Sequence, residues 1–154
     1  MSLAVSHTVN AVRLFDAPRE RVFAAWTRAE HLAHWFGPRG FTIHSCEADA
    51  RPGGVFRLCM RSPEGVDYWV RGAYREVVAP ERLVVQCSAD DAAGVQRLDE
   101  VITVQLADEG GRTRLTLRAT ASGTGPEAAS MLRGMEQGWG ETLDRLRERS
   151  DTIQ

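Results

Sequence analysis

The stretch from Glu100 to Ala119, "EVITVQLADEGGRTRLTLRA", decides the fold class. Apolar and polar residues alternate strictly in both of its halves, and "ADEGG" between them is typical of a tight turn. The residues that share one side are Ile102, Val104, Leu106, Thr113, Leu115 and Leu117. An alternation of period two means that one face of a strand pair is packed and the other faces water. We therefore predict an antiparallel hairpin that belongs to a sheet covered on one side.

Five further segments upstream of this hairpin have strand character, and turn residues separate most of them. They are "HTVNAVRLF", "FTIHSCEAD", "VFRLCMR", "VDYWVRGAYREVV" and "RLVVQCS". The fourth is long for a single strand, so we expect a bulge or bend near Gly72. Apolar residues of "FTIHSCEAD" fall on both parities, which leaves open the face that points inward. We predict that the polar stretch "ADDAAGVQ" is a loop.

Two helical regions complete the pattern. The segment "DAPRERVFAAWTRAEHLAHWF" predicts two short helices, with Asp16 capping the first, Thr27 capping the second and Gly37-Pro38 ending the pair. Near the C-terminus an apolar stripe at helical spacing predicts one long helix. Its residues are Met131, Met135, Trp139, Leu143 and Leu146. A sheet with one apolar face must cover that face, and this helix is the one predicted element long enough to do so.

Composition narrows the function. The 154 residues fit one domain, which we place at residues 4–150, and the net charge of −2 gives no reason to expect a nucleic-acid partner. All 19 cationic side chains are arginine, which excludes lysine Schiff bases and a P-loop lysine. Cys46, Cys59 and Cys87 match no metal spacing and favour a reduced, cytoplasmic protein. We expect no secretory signal, no membrane insertion and no cofactor.

Four segments together resemble one known family. They are "APRERVFAAWTRAEHLAHWFGPRGF", "RPGGVFRLCMRSPEGVDY", "RGAYREVVAPERLVV" and "GWGETLDRL", and the resemblance runs from about Val9 to Leu146. The sequence is similar to the activator-of-heat-shock-protein-90-ATPase homologue-like family, within the START and birch-pollen-allergen superfamily. This resemblance implies an α+β helix-grip fold, in which a curved seven-stranded antiparallel sheet wraps around the C-terminal helix. Two short helices between the first two strands then close one end of a cavity.

The superfamily binds lipids, sterols, polyketides and other apolar molecules, so we sought residues for the walls of such a cavity. Inward positions predict a ligand-binding set of Phe56, Leu58, Met60, Tyr68, Val70, Tyr74, Met131, Met135 and Trp139, with Trp35 and Phe36 at the mouth. Each of these side chains has the alternative role of filling the core, which is the role we predict for Trp26. Gly72, on the same face, either leaves space for a ligand or lets another element approach closely.

No catalytic set stands out, because no nucleophile is paired with a base. Some members of the superfamily catalyse cyclisation or dehydration, and for such a reaction Tyr68 and Arg71, near Asp67, could polarise a carbonyl. The alternative is a surface Asp–Arg pair beside a half-buried tyrosine.

Two other groups of residues suggest weaker alternatives. His31 and His34 stand three apart on a helix, but completing a metal site would need His44 and Glu47 from a separate strand, so we expect none. The alternation turns Trp69 outward between two arginines, where it could stack on them or form a homodimer contact.

Three hypotheses follow from the sequence. The first is a domain that binds or senses a small hydrophobic molecule. The second is a polyketide-cyclase-like enzyme, and the third is a co-chaperone-like interaction domain that docks on a protein partner.

Overall fold

The computed structural model describes residues 4–152, which form seven strands and four helices. In chain order they are β1 (Ala4–Phe15), α1 (Arg19–Thr27), α2 (Ala29–Trp35), β2 (Thr42–Ala48), β3 (Val55–Arg61), β4 (Asp67–Val78), β5 (Arg82–Asp90), β6 (Gln96–Glu109), β7 (Arg112–Thr124), α3 (Gly125–Arg133) and α4 (Met135–Thr152). None of these helices has both the length and the apolar character needed to cross a bilayer.

The strands form one antiparallel sheet in the order β1-β7-β6-β5-β4-β3-β2. Consecutive strands are neighbours except β1 and β2, which lie at opposite edges, so α1 and α2 carry the chain across the sheet. The predicted hairpin is confirmed as β6 and β7, and every residue on its predicted inner side is buried. The predicted α+β helix-grip architecture is confirmed, with the helices covering the inner face of the sheet.

The loop predicted for "ADDAAGVQ" is confirmed at residues 91–95 but is too long at both ends. Ala89 and Asp90 continue β5, and Gln96 already belongs to β6. The connection is short because the carboxylate of Asp91 accepts hydrogen bonds from the backbone amides of Ala93 and Val95. A polar composition here reflects a tight turn rather than a long loop.

Bulges explain two irregular strands. In β2 the register shifts between Ile43 and Ser45, so Ile43 on one side of the bulge and Cys46 and Ala48 on the other pack against the same core. This is why apolar residues occupy both parities. In β4 the shift falls between Tyr74 and Glu76, close to the predicted position.

Gly72 takes the second of its two predicted roles. A Cβ atom at this position would overlap the backbone carbonyl of Gln86 on β5. The glycine therefore permits close approach of a neighbouring strand and opens no space for a ligand.

Trp26 is fully buried, as predicted, and a polar contact fixes it to the sheet. The Tyr74 hydroxyl donates a hydrogen bond of 2.9 Å to the Trp26 carbonyl, which joins α1 to β4 inside the core. Burial raises the pKa of Tyr74, so the phenol remains a donor. The Tyr74 ring also meets Phe56 edge to face, at 5.5 Å between centroids.

Neither residue predicted to cap a helix occupies the N-cap position. Pro18 precedes α1 and Arg28 precedes α2, and neither provides a side-chain cap. Asp16 accepts a hydrogen bond from Arg112 on β7. Thr27 is the last residue of α1, where its hydroxyl donates to the Phe23 carbonyl, a local bond that competes with capping.

The single C-terminal helix that we predicted is divided at Gly134 into α3 and α4. Gly134 keeps φ near −87° and ψ near −2°, close to helical values. The apolar spacing of Met131 and Met135 therefore continues across the break, and a periodicity count does not detect it.

The loop between α2 and β2 is held by Arg145 of α4. One guanidinium donates to the carbonyls of Gly37, Pro38 and His34 at 2.9, 3.0 and 3.2 Å. Arg39 in the same loop pairs with Glu148 and donates its backbone amide to Glu141. Residues on the polar side of α4 thus anchor this loop.

We expect Tyr74→Phe to lower the free energy of unfolding by about 1–3 kcal/mol, because the buried Trp26 carbonyl would lose its donor. Urea denaturation followed by circular dichroism measures the change. Tyr68→Phe is the matched control, since no hydrogen bond from the Tyr68 hydroxyl exists among the described residues. Equal stability of the two variants would contradict the role given to Tyr74.

We expect Arg145→Met to lower the free energy of unfolding by about 1–3 kcal/mol, because charged donors to three carbonyls are lost. Hydrogen exchange should accelerate at residues 37–41 more than elsewhere. Arg147→Met is the control, because Arg147 is exposed on the same helix. Unchanged exchange in the loop of the Arg145 variant would refute this anchoring.

Candidate functional site

A cavity of about 350 Å³ lies between the sheet, the helices α3 and α4, and the loop that follows α2. Its volume is at the small end of the range of roughly 300–1,000 Å³ for ligand sites. The lining residues are Phe36, Gly37, Pro38 and Phe41 from the loop; Met60, Tyr68, Trp69, Val70, Ala89, Asp90, Leu98, Glu100 and Ala121 from the strands; and Ser130, Met131, Gly134, Met135, Gly138, Trp139 and Thr142 from the helical region.

Of the eleven residues predicted for ligand binding, seven line this cavity. They are Phe36, Met60, Tyr68, Val70, Met131, Met135 and Trp139. The other four, Trp35, Phe56, Leu58 and Tyr74, are fully buried in the adjacent core and do not reach it. Alternation along a strand does not distinguish the packed part of the inner face from the open part. It also turned Trp69 outward, whereas Trp69 contributes to the lining beside Tyr68 and Val70.

Trp35 illustrates the difference. The sequence placed it at the mouth, but its indole nitrogen donates to the Ala25 carbonyl at 2.9 Å and its ring meets Trp26 edge to face at 4.7 Å. Trp35 therefore fixes α2 against α1 inside the core. Its neighbour Phe36 is the one of the pair that reaches the cavity.

Aromatic contacts hold the wall formed by Trp139. Its indole stacks on Trp26 at 6.3 Å with an interplanar angle of 22°, and it meets Phe36 nearly at right angles at 6.0 Å. On another side of the cavity, Phe41 lies 6.2 Å from Tyr68. Rings fixed on several sides provide a rigid apolar surface.

Glu100 is one of the cavity residues that the sequence analysis missed, and it carries a charge. It lies on the inner side of β6, two residues before buried Ile102, and its Oε2 accepts a 3.1 Å hydrogen bond from the Trp139 indole nitrogen. Burial raises the pKa of this carboxyl group. The sequence did contain a signal for this position. Counting back two residues from the inward Ile102 reaches Glu100, which is therefore expected on the same face of the strand.

The predicted cluster of Asp67, Tyr68 and Arg71 does not form. Asp67 pairs with Arg61 at 2.7 Å, whereas Arg71 lies 3.6 Å from buried Asp90. Only Tyr68 of the three lines the cavity. The geometry therefore does not bring Tyr68 and Arg71 together on a bound carbonyl.

Trp69 has the two arginine neighbours that the sequence predicts. The guanidinium carbons of Arg57 and Arg71 lie 5.4 and 5.1 Å from its ring centroid. Stacking of both guanidinium groups on the indole ring explains why this tryptophan lies between two arginines. A subunit contact at this position stays a prediction.

The histidines have separate partners. His31 approaches Arg149 on α4, and burial together with that cation lowers the pKa of His31. The imidazole of His44 bonds to the Thr42 hydroxyl, and Glu47 pairs with Arg57. Within residues 4–152 no three His, Cys, Asp or Glu side chains are grouped as metal ligands.

We expect Glu100→Gln to gain stability relative to the native protein as the pH rises from about 4 to 7. The pKa of Glu100 is higher in the folded state than in the unfolded chain. As the pH rises above the unfolded pKa, the unfolded chain loses this proton while the folded state still holds it, so the native protein loses stability. The loss stops once Glu100 also ionises in the folded state. Thermal melting at several pH values measures the difference. Glu64→Gln, at an exposed turn, is the control, and equal pH profiles for both variants would contradict a raised pKa of Glu100.

Comparison with solved structures supports the fold. A crystal structure of a Chromobacterium violaceum protein is 28% identical, covers 95% of this chain and 98% of its own, and has a TM-score of 0.78. A Nitrosomonas europaea protein is 27% identical over 92% of each chain, with a TM-score of 0.74. A Rhizobium leguminosarum protein shares the fold with a TM-score of 0.82 at 22% identity. Among curated proteins no match was found.

The family model for "Activator of Hsp90 ATPase homolog 1-like protein" matches residues 16–151, which is most of the chain. The matched region extends from the residue after β1 into the last turns of α4, so it contains both short helices, six strands and nearly all of the cavity wall. The resemblance found in the sequence is thereby confirmed, and the chain belongs to this family.

Proposed function

We propose that this domain binds a small, predominantly apolar molecule in the cavity between its sheet and the helices α3 and α4. The observation that carries the proposal is the space itself. The surrounding core is closely packed, with Trp26, Trp35 and Phe56 fully buried, yet about 350 Å³ beside it is unfilled. Protein interiors are closely packed, and a concave, mostly apolar space of this size is typical of a ligand site.

The chemistry of the walls also supports an apolar guest. Phe36, Phe41 and Trp139 supply fixed rings, while Met131 and Met135 supply flexible thioethers that adapt to irregular shapes. Small residues elsewhere in the lining leave space between these larger side chains. Helix-grip relatives commonly bind hydrophobic ligands, which agrees with this arrangement.

The other hypotheses have less support. A cyclase-like reaction required Arg71 beside Tyr68, but Arg71 is engaged with Asp90 and Trp69 and does not itself line the cavity. No described residue favours a chaperone partner or a homodimer over ligand binding. We also propose a cytoplasmic location, since Cys46, Cys59 and Cys87 are free thiols.

Filling the cavity tests the proposal. We expect Ala89→Leu to weaken binding of the neutral fluorophore N-phenyl-1-naphthylamine at least about tenfold, because the new side chain would occupy ligand space. Fluorescence titration measures the affinity. Ala107→Leu makes the same change at an exposed position of β6 and should bind like the native protein.

The proposal fails if the native protein does not bind the fluorophore or other neutral apolar molecules. It also fails if Ala89→Leu, shown by circular dichroism to be folded, binds as tightly as Ala107→Leu. Binding would then occur on the surface.

A further inference from the structure

We propose that the cavity recognises an organic amine, an apolar body that carries one ammonium group, and that Glu100 is the counter-ion of that group. This inference rests on the proposed function and names its ligand class. It follows from the charges around the cavity, the partners of Glu100 and the aromatic rings beside it.

The charge of the lining has one sign. Asp90 and Glu100 contribute carboxylates, and no arginine or histidine is found among the lining residues of the described chain. The sequence contains no lysine. A fatty acid or another anionic ligand would therefore place its charge beside two carboxylates without a cation to bind it, which is unfavourable in a low-dielectric site.

The two carboxylates are not equivalent. Asp90 lies 3.6 Å from Arg71, so a cation of the protein already balances it. Glu100 has one described partner, the neutral indole N–H of Trp139 on Oε2. Its neighbours across the sheet are Cys87 on β5 and Ala121 on β7, and neither carries a positive charge.

Glu100 is therefore a carboxyl group in an apolar cavity whose second oxygen, Oε1, accepts no hydrogen bond from a described residue. Burial of this kind is costly for the charged form unless a cation with N–H donors pairs with it. A ligand ammonium supplies both the charge and the donors, and charge-assisted hydrogen bonds of this type are strong.

The aromatic rings favour the same ligand. Trp139 donates its indole N–H to the Glu100 carboxylate, and Phe36, another ring of the lining, meets Trp139 at 6.0 Å. The negative face of an aromatic ring attracts an ammonium ion. The remaining walls, which include Met131 and Val70, suit the apolar body of the molecule.

Three molecules with one skeleton and different head groups test the inference: 4-phenylbutylamine, 4-phenylbutan-1-ol and 4-phenylbutanoate. At pH 7 we expect isothermal titration calorimetry of the native protein to show the amine binding at least about tenfold more tightly than the alcohol. The carboxylate should bind more weakly than either.

Glu100→Gln keeps the shape of the side chain and removes its charge. We expect this variant to bind amine and alcohol with affinities within about twofold of each other. Glu64→Gln makes the same charge change at an exposed turn and should keep the preference for the amine.

Each outcome decides the inference. If the native protein binds the alcohol as tightly as the amine, or prefers the carboxylate, the amine inference is wrong and apolar binding stands. If folded Glu100→Gln retains the amine preference, Glu100 is not the counter-ion and the inference is wrong. If neither these molecules nor N-phenyl-1-naphthylamine bind, both the inference and the proposed function fail.

Discussion

The hydrogen bond from the Trp139 indole to Glu100 joins the longest helix to the interior of the sheet, and the cavity is arranged around it. The indole is held from behind by Trp26 and from the side by Phe36. Trp26 is in turn tied to β4 through the Tyr74 hydroxyl. A polar contact in the cavity is thus connected through rigid aromatic packing to the most deeply buried part of the core.

The open space depends on what surrounds this contact as well as on the contact itself. Gly138, Ala89 and Ala121 are small residues on facing elements of the lining, so the helix and the sheet do not fill the gap between them. The loop after α2 is kept over the space by Arg145, which binds two carbonyls of the loop and one at the end of α2. Because an unfilled volume lacks the dispersion contacts of a packed one, a framework tied at several points is needed to keep it open.

Much of the architecture was predictable from local patterns. The alternation around Ile102 and Leu115 gave the central hairpin, and the position of Trp26 in the core followed from helical spacing. These sequence patterns failed where a single residue interrupts a strand or a helix. The bulge after Ile43 switches the inner parity of β2, and Gly134 divides the last helix without disturbing its apolar spacing.

The candidate site was predicted in part, for a related reason. Periodicity reports which way a side chain points but not whether another side chain meets it, so buried Phe56 and cavity-lining Met60 look alike in sequence. The role of Arg145 is not visible in the sequence because its carbonyl partners lie more than a hundred residues away in the chain. Glu100 escaped notice because a charged residue at the start of a strand resembles a turn.

Glu100 interrupts a run of inward apolar residues, between buried Leu98 and Ile102. An apolar side chain there would avoid the desolvation cost of a carboxyl group, and stability alone does not explain a glutamate at this position. Its single described partner, the Trp139 indole, uses one oxygen and leaves the other available to the cavity. Departures from a consistent pattern of this kind are typical of functional positions, where stability is given up for chemistry. The same carboxylate that weakens the isolated fold is therefore the group best placed to select what enters the cavity.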